Sequence, residues 1–519
     1  MGMISTRTNM NAVATARNLG YAQEKVDSSM MKLSTGLRIN KAADDAAGLA
    51  ISEKLKSQIN GLNQASRNAK DAISLVQTAE GALGEIGNML QRVRTLALQS
   101  VNDVNTVNER SSMQKEVSQL QTEITRLANA SEFNGQKLLD GSFQSKRFQV
   151  GANSGQEISL SIGGVNSAGL GVNRINSATG NANISAATAA VDSTAATGIT
   201  ANNMATQTLT ITGPNGSAPV ALATAGASAL KVAESVNLTS GKTAVTAKAE
   251  TALKFTIATS AAPVNISFKL AGDTAGGQTN VANLTAATTI SAQVSSSADL
   301  SSLAAAINDK AATTGIQARI GDTKGELIIT ADDGRDIILD NLQGTAATVQ
   351  GMTANTDKSL AAGPLVNAGA SQAVAVNQST RVGGFVKFES AGGVNISTDD
   401  ATGSLLAATT NNSALFDVAS INVGNIDGAS GAISILDASI QQVNDLRASL
   451  GAVQNRLGST VANLESSSEN LQFSNSRVRD ADVAMESSEL ARAQVLMQAG
   501  VSVLAQANQQ PQMALKLLG

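Results

Sequence analysis

Three residues in the middle of the chain, Gly241-Lys242-Thr243, have the types that close a phosphate-binding loop. Such a loop needs a glycine five residues earlier so that backbone N–H groups can curl around the phosphates. Val236 stands there, and no cradle forms. The glycines between Gly151 and Gly171 follow no dinucleotide-binding spacing between a strand and a helix. Two carboxylate pairs, Asp44-Asp45 and Asp332-Asp333, have the composition for acid/base work. Each has a plainer use: Asp44 and Asp45 precede a helical pattern whose N-terminus attracts negative charge, and Asp332-Asp333 suits a turn. The chain holds neither His nor Cys, so the imidazole base, the thiol nucleophile and the commonest zinc ligands are missing. No residue qualifies as catalytic, metal-binding or cofactor-binding, and the chain reads as a non-enzyme.

The apolar residues encode architecture instead, and their spacing divides the chain into three. Leu55, Leu62, Ala69, Val76, Leu83, Leu90 and Ala97 recur every seven residues, with Ala65, Ala72, Ala79, Ile86 and Val93 in a second row. A strict seven-residue repeat draws one apolar seam along a helix and favours left-handed supercoiled packing. A thinner seam, Ala12, Leu19, Val26 and Leu33, precedes it. Gly36 and Asn40 break that first helix. After the polar stretch from Asn102 to Asn108, a third helical pattern carries Met113, Val117, Leu120, Ile124 and Leu127. Near the other end Leu436, Val443, Leu450, Leu457, Leu464, Leu471, Val478 and Met485 hold one heptad position. That stripe is roughly 75 Å long if unbroken. Val483, Leu490, Met497 and Leu504 define a further register. Such seams need partners, either within one chain, parallel or antiparallel, or on other copies.

The middle has a different grammar. Leu209–Thr212, Lys254–Ile257 and Val264–Phe268 alternate as strands do, and Asp333-Gly334 between two apolar runs predicts a hairpin. Asn134-Gly135 predicts a second, two-residue turn. An internal repeat runs Val232-x3-Val236-Asn237, then Thr243-x-Val245-x-Ala247-Lys248. It matches Leu303-x3-Ile307-Asn308, then Thr314-x-Ile316-x-Ala318-Arg319. Each copy reads as a short helix ending at Asn and leading into a strand; the rival reading is a chance match in an Ala/Thr-rich tract.

Composition limits the partners. Aromatic residues are only 2% of the 519, and the formal net charge is −4 with no basic run to suit nucleic acid or an anionic membrane. No apolar stretch approaches the roughly 20 residues that span a bilayer, and Met1 to Thr15 lack a secretory apolar core. By these criteria alone the chain reads as soluble and cytoplasmic.

Two long motifs change that. Leu33-Ser34-Thr35-Gly36-Leu37-Arg38-Ile39-Asn40-Lys41-Ala42-Ala43-Asp44-Asp45-Ala46-Ala47-Gly48-Leu49-Ala50-Ile51 closely resembles the N-terminal signature of bacterial flagellins. Gln91-Arg92-Val93-Arg94-Thr95-Leu96-Ala97 and Glu132-Phe133-Asn134-Gly135-Gln136-Lys137-Leu138-Leu139 do so too. Ser476-Arg477-Val478-Arg479-Asp480-Ala481-Asp482, Gln498-Ala499-Gly500 and Leu504 to Gln512 resemble the C-terminal pattern. The Ile307-Asn308 repeat is similar to the IN motif of flagellins and hook-associated proteins.

The resemblance implies an α+β chain whose N- and C-terminal helices pack together as coiled coils around a β-rich inserted region. Residues 1–45 and 480–519 would form an inner helical end domain, the filament core. Residues 46–145 and 430–479 would form a helical rod with a hairpin. Residues 146–429 would form a variable outer region of two subdomains, one including about 208–345. It implies self-assembly into an extracellular motility filament, through an end seam of Leu19, Val26, Leu33, Leu490, Met497 and Leu504. The rod core would use Leu55, Leu62, Val76, Leu83, Leu90, Leu120, Ile124, Leu436, Val443, Leu450, Leu457 and Leu464. Export as an unfolded chain without a cleavable signal peptide, a chaperone on the C-terminal helix, and cap and junction proteins are further implied partners. So is host Toll-like receptor 5, with Arg92, Leu96 and Glu116 at the matching positions; the plainer use of Arg92 and Glu116 is an interhelix ion pair. No cofactor, nucleic acid or membrane insertion is implied. A hook–filament junction protein and a surface adhesin using the central region are the alternatives. The end helices have so little apolar surface that order in the free subunit is not expected of them.

Overall fold

The computed structural model describes residues 8–102, 104–177, 184–193, 199–258, 263–274, 287–321, 323–354, 365–400 and 405–518. The termini Met1-Gly2-Met3-Ile4 and Gly519 lie outside them. The helices are α1 (Met10–Thr35), α2 (Ala46–Val101), α3 (Val107–Ala130), α4 (Ala229–Asn237), α5 (Ser240–Thr243), α6 (Ser301–Asp309), α7 (Ala311–Thr314), α8 (Ile426–Arg479) and α9 (Val483–Leu518). Long helices at both ends flank a β-rich centre. The chain divides into two compact units, one of residues 1–77, 145–161 and 450–519, the other of 78–144 and 162–449.

In the first unit the ends are helical and paired: α1 and α9 cover one another, though thinly. Asn9 caps α1 by accepting from the Ala12 N–H at 3.1 Å, and Gly36 closes it in the left-handed region at φ 71°. The heptad stripe that starts at Leu436 is not one helix as far as Met485: α8 stops at Arg479. Asp482 starts a new helix by accepting from the Ala484 and Met485 N–H groups at 2.9 and 3.1 Å, and Met485 is exposed. The α2 and α8 segments of this unit run antiparallel, joined by Glu53–Arg479, Asn63–Ser468 and Lys70–Glu465 contacts. Ala69, Ala72 and Leu457 bury against Ile158 of the small hairpin Lys146–Gln149/Glu157–Leu160.

The second unit buries heptad positions of its own. Val76 of the first unit and Leu83, Leu90, Val93 and Ala97 of the second are each fully buried, as are Leu436 and Ile124. Of the remaining rod positions, Val443 of this unit and Leu450, Leu457 and Leu464 of the first are buried, whereas Leu120 of this unit and Leu55 and Leu62 of the first are half-buried. Thr106 and Glu109 form a reciprocal capping box that starts α3, and the buried Arg110 guanidinium ties the preceding turn through the carbonyls of Ser100 and Asn102. Asn134 (φ 49°) and Gly135 (φ 75°) turn the Glu132–Phe133/Gln136–Lys137 hairpin, both residues being left-handed as a type I′ turn requires.

The β-rich centre holds three main sheets. The largest orders Gln317–Ile320, Leu327–Ala331, Thr246–Ile257, Phe385–Ser390, Gly171–Asn176 and Ala414–Asp417. Among the described residues the larger apolar cores of the centre lie around Phe255, Phe268 and Leu303 and around Phe388, Leu209 and Val232, with smaller ones around Phe385 and Ile338. The expected Asp333-Gly334 hairpin is corrected here. Leu327–Ala331 pairs within the largest sheet, whereas Asp336–Gln343 pairs with Val264–Asp273 and Gln378–Val382 in a five-stranded sheet. Both strands are buried on both faces, so each satisfies its ladder with distant partners, and the turn hands the chain from sheet to sheet.

The internal repeat is real structure. Asn237 donates to the Ala247 carbonyl at 2.9 Å and accepts from its N–H at 2.7 Å. Asn308 does the same to Ala318 at 2.8 and 2.7 Å. In each copy a second short helix, α5 or α7, ends at a left-handed residue (Ala244 or Gly315) before the strand. Gly241-Lys242-Thr243 is therefore one turn of this unit, with no phosphate loop.

Candidate assembly interface

The end helices α1 and α9 lie antiparallel. The Asn9 amide donates to the Ala507 carbonyl at 2.8 Å, Leu19 lies against Gly500, Ser29 meets Glu486, and Leu37 bridges to Asp480. What they bury is small: Ala22, Val26 and Ser29 from α1, and Glu486, Ala493 and Ala507 from α9. Of the expected seam only Val26 is buried; Leu19, Leu33, Leu490, Met497 and Leu504 are half-buried. Eleven of the eighteen large apolar side chains exposed among the described residues sit on these two helices, Tyr21, Met30, Val495 and Leu496 among them. Contiguous exposed apolar surface of this kind is commonly found at interaction sites.

The second candidate surface lies on α2 and α3. The Arg92 Nε donates to Glu116 Oε1 at 2.8 Å, with both side chains about half exposed. Leu96 is 2% exposed and packs inward. The three residues share a neighbourhood, but only the charged two offer surface.

The acidic pairs do structural work. Asp45 accepts from the Gly48 N–H at 2.8 Å at the start of α2. Asp44 accepts from the N–H groups of Lys41 and Asn40, both at 3.0 Å, and these donors hold its carboxyl below the ordinary carboxylate range. Asn40 in turn donates through its amide to the Leu37 carbonyl. Asp333 clamps Arg335 beside the sheet-to-sheet turn, and burial, with Glu250 and Asp333 nearby, raises the Asp332 carboxyl. No group of three or more metal-ligating side chains occurs among the described residues, and no helix among them is long and apolar enough to cross a membrane.

Two polar clusters escaped sequence reasoning. One is Ser29–Glu486–Lys32; its signal was a carboxylate in the heptad row Glu486, Ala493, Gly500, Ala507. The other is the buried Arg381 guanidinium between Asp273 and Asp336, whose sequence separation left no local signal.

Comparison with known proteins agrees with this architecture. Residues 6–144 match the bacterial flagellin N-terminal helical region, 433–518 the C-terminal helical region, and 265–333 the flagellin hook IN motif. The α6–α7 copy of the repeat falls inside the last match and the α4–α5 copy outside it. The chain is 37% identical to the B-type flagellin of Pseudomonas aeruginosa, covering 99% of each. It is 33% identical to flagellin B of Vibrio cholerae, covering 99% of this chain and 100% of the other. To the flagellin of Salmonella typhimurium it is 35% identical, over 98% of this chain and 99% of the other. The chain belongs to the bacterial flagellin family, structural subunits of the extracellular flagellar filament and not enzymes.

Proposed function

We propose that the subunit polymerises by covering the exposed apolar faces of α1 and α9 with the same helices of neighbouring copies, residues 1–45 and 480–519 forming the filament core. The supporting observation is the concentration of exposed apolar side chains on a helix pair whose own seam buries little beyond Ala, Val and one ion-paired cluster. Residues 46–145 and 430–479 then serve as the rod, and 146–429 as the outward region. Delivery as an unfolded chain, with a chaperone on the α9 segment and cap and junction proteins at the growing end, belongs to the same proposal. Purified subunits seeded at rising concentration are expected to form filaments by electron microscopy. Subunits that stay single particles under all such conditions would overturn the reading.

Recognition by host Toll-like receptor 5 is its second part. Exposure of the Arg92–Glu116 pair favours a charged contact there, with Leu96 supporting the face from beneath. Arg92→Ala is expected to weaken receptor signalling more than Leu96→Ile, measured with free subunits; equal signalling from Arg92→Ala would count against it.

A further inference from the structure

We infer that the β-rich centre holds a binding site for a small zwitterion, an amino-acid-like molecule whose ammonium answers Asp332 and whose carboxylate answers Lys248. Both residues line a cavity of about 330 Å³ within the second unit, between the largest sheet and the first turns of α8. That is the liquid volume of roughly ten waters, ample for such a ligand with part of its hydration. Ser430, Gly431 and Ser434 keep the α8 side small-chained, which leaves the space open. The sheet side carries its charges in an unusual order. Lys248 of Thr246–Ile257 stands directly opposite Lys387 of Phe385–Ser390. On the other flank of the same strand the last pair is Ala331 with Thr251, and Asp332 comes next, beside Glu250. Like charges set side by side on adjacent strands are destabilising. The inner two, Lys387 and Glu250, relieve each other at 3.0 Å. The walls are matched as well: Arg174 pairs with Glu389, and Arg319 donates to both Asp427 oxygens at 3.0 and 3.2 Å. The outer two, Lys248 and Asp332, have no hydrogen-bond or ion-pair partner among the described residues. One strand apart across the sheet and two residues apart along it, their α-carbons are separated by roughly 8 Å. The unmatched charges are thus opposite in sign, and the rest of the cavity sums to zero. A lone anion would meet Asp332 and Glu250, and a lone cation Lys248 and Lys387. A zwitterion laid along the sheet satisfies both ends at once. The site belongs to one chain; only its accessibility on a filament rests on the proposed outward placing of residues 146–429.

The test uses dilute full-length subunits and three probes: 4-aminobutyrate with both charges, butyrate with the carboxylate alone, and butylamine with the ammonium alone. Equilibrium dialysis of each radiolabelled probe gives affinity and stoichiometry. 4-Aminobutyrate is expected to bind once per chain in the millimolar range, about tenfold or more tighter than either singly charged probe. That contrast is read on the parent chain and depends on no variant. Lys248→Gln and Asp332→Asn change side chains that reach solvent, so helical circular dichroism should stay as in the parent. Each is expected to weaken 4-aminobutyrate binding about tenfold, the effect of one hydrogen bond to a charged group. Lys269→Gln alters an exposed lysine of the five-stranded sheet and should leave the affinity unchanged. The site is refuted if 4-aminobutyrate does not bind, or binds no tighter than butyrate or butylamine. It is refuted equally by the parent's affinity in a folded Lys248→Gln or Asp332→Asn, or by a matching loss in Lys269→Gln. Binding that follows the expected pattern in subunits unable to polymerise would fault the assembly proposal and leave the site standing.

Discussion

The end helices and the β-rich centre treat apolar side chains in opposite ways. In the centre, Phe255, Phe268 and Phe388 are at most 2% exposed and share closed cores with Leu, Ile and Val from several strands. On α1 and α9, Ala and Val fill the inside, while Met10, Tyr21, Met30, Val495 and Leu496 stand in solvent. A core that is complete within the chain makes a stable, self-sufficient body. A helix pair that buries small residues and displays large ones is stable only marginally by itself and gains from neighbours. On the proposed assembly, stability and polymerisation rest on different residues, which mutation can separate.

The largest effect is expected where a self-sufficient seam receives a charge. Leu457→Asp places an unpaired carboxylate beside Ala69 and Ala72 and should cost about 4–5 kcal/mol, read from urea unfolding by helical circular dichroism, with polymerisation lost. Phe388→Ala opens a cavity in one β-rich core and should cost about 3–5 kcal/mol while leaving polymerisation intact. Assembly failing there at temperatures where the variant is folded would erase the contrast.

A proton sharpens it next. Asp273 and Asp336 are directly opposite across their strands, with Arg381 Nη1 at 3.3 and 3.4 Å from one oxygen of each. Burial is the chief cause that pushes the Asp336 carboxyl from 3.8 up to about 7, against the pull of Arg381 and Asn202. Between those values the native state keeps a proton that the unfolded chain has released. Stability of the centre should therefore fall as pH rises through that window, by about 2–4 kcal/mol, and level off above it. Asp336→Asn should flatten the profile of denaturant midpoints between pH 4 and 8; an unchanged slope would show that another group carries it.

Asn237→Ala and Asn308→Ala each remove one two-way clamp of the repeat and should cost about 1–2 kcal/mol apiece, in hydrogen exchange of Thr246–Ile257 and Gln317–Ile320 respectively. Smallest in stability is Val495→Ser, within about 0.5 kcal/mol because the side chain is already exposed, yet it should slow polymerisation measurably by light scattering. Unaltered polymerisation would show that Val495 is not covered.

The long helices were legible because a seven-residue apolar repeat is a local property of sequence, and so were the Asn134-Gly135 turn and the break at Gly36. The IN-like duplication was legible too, since its Asn clamps reach only ten residues ahead. The Asp333-Gly334 turn misled because its residues suit a hairpin equally well when the flanking strands prefer distant partners. Leu96 lies in the stretch Gln91 to Ala97 that resembles the family's N-terminal pattern, but whether it faces in or out depends on which side of α2 its neighbours occupy.

By itself, then, the sequence determined where helices and strands form, that chemistry needing His or Cys is absent, and that the two ends carry seams in want of partners. Those follow from residue type and periodicity within a few turns of chain. Tertiary structure alone decided that α1 and α9 run antiparallel, that Ser29 and Lys32 meet a carboxylate more than 450 residues away, and that Asp273, Asp336 and Arg381 share one buried site. Such pairings depend on which surfaces the folded chain brings together, and no local pattern of residues records that.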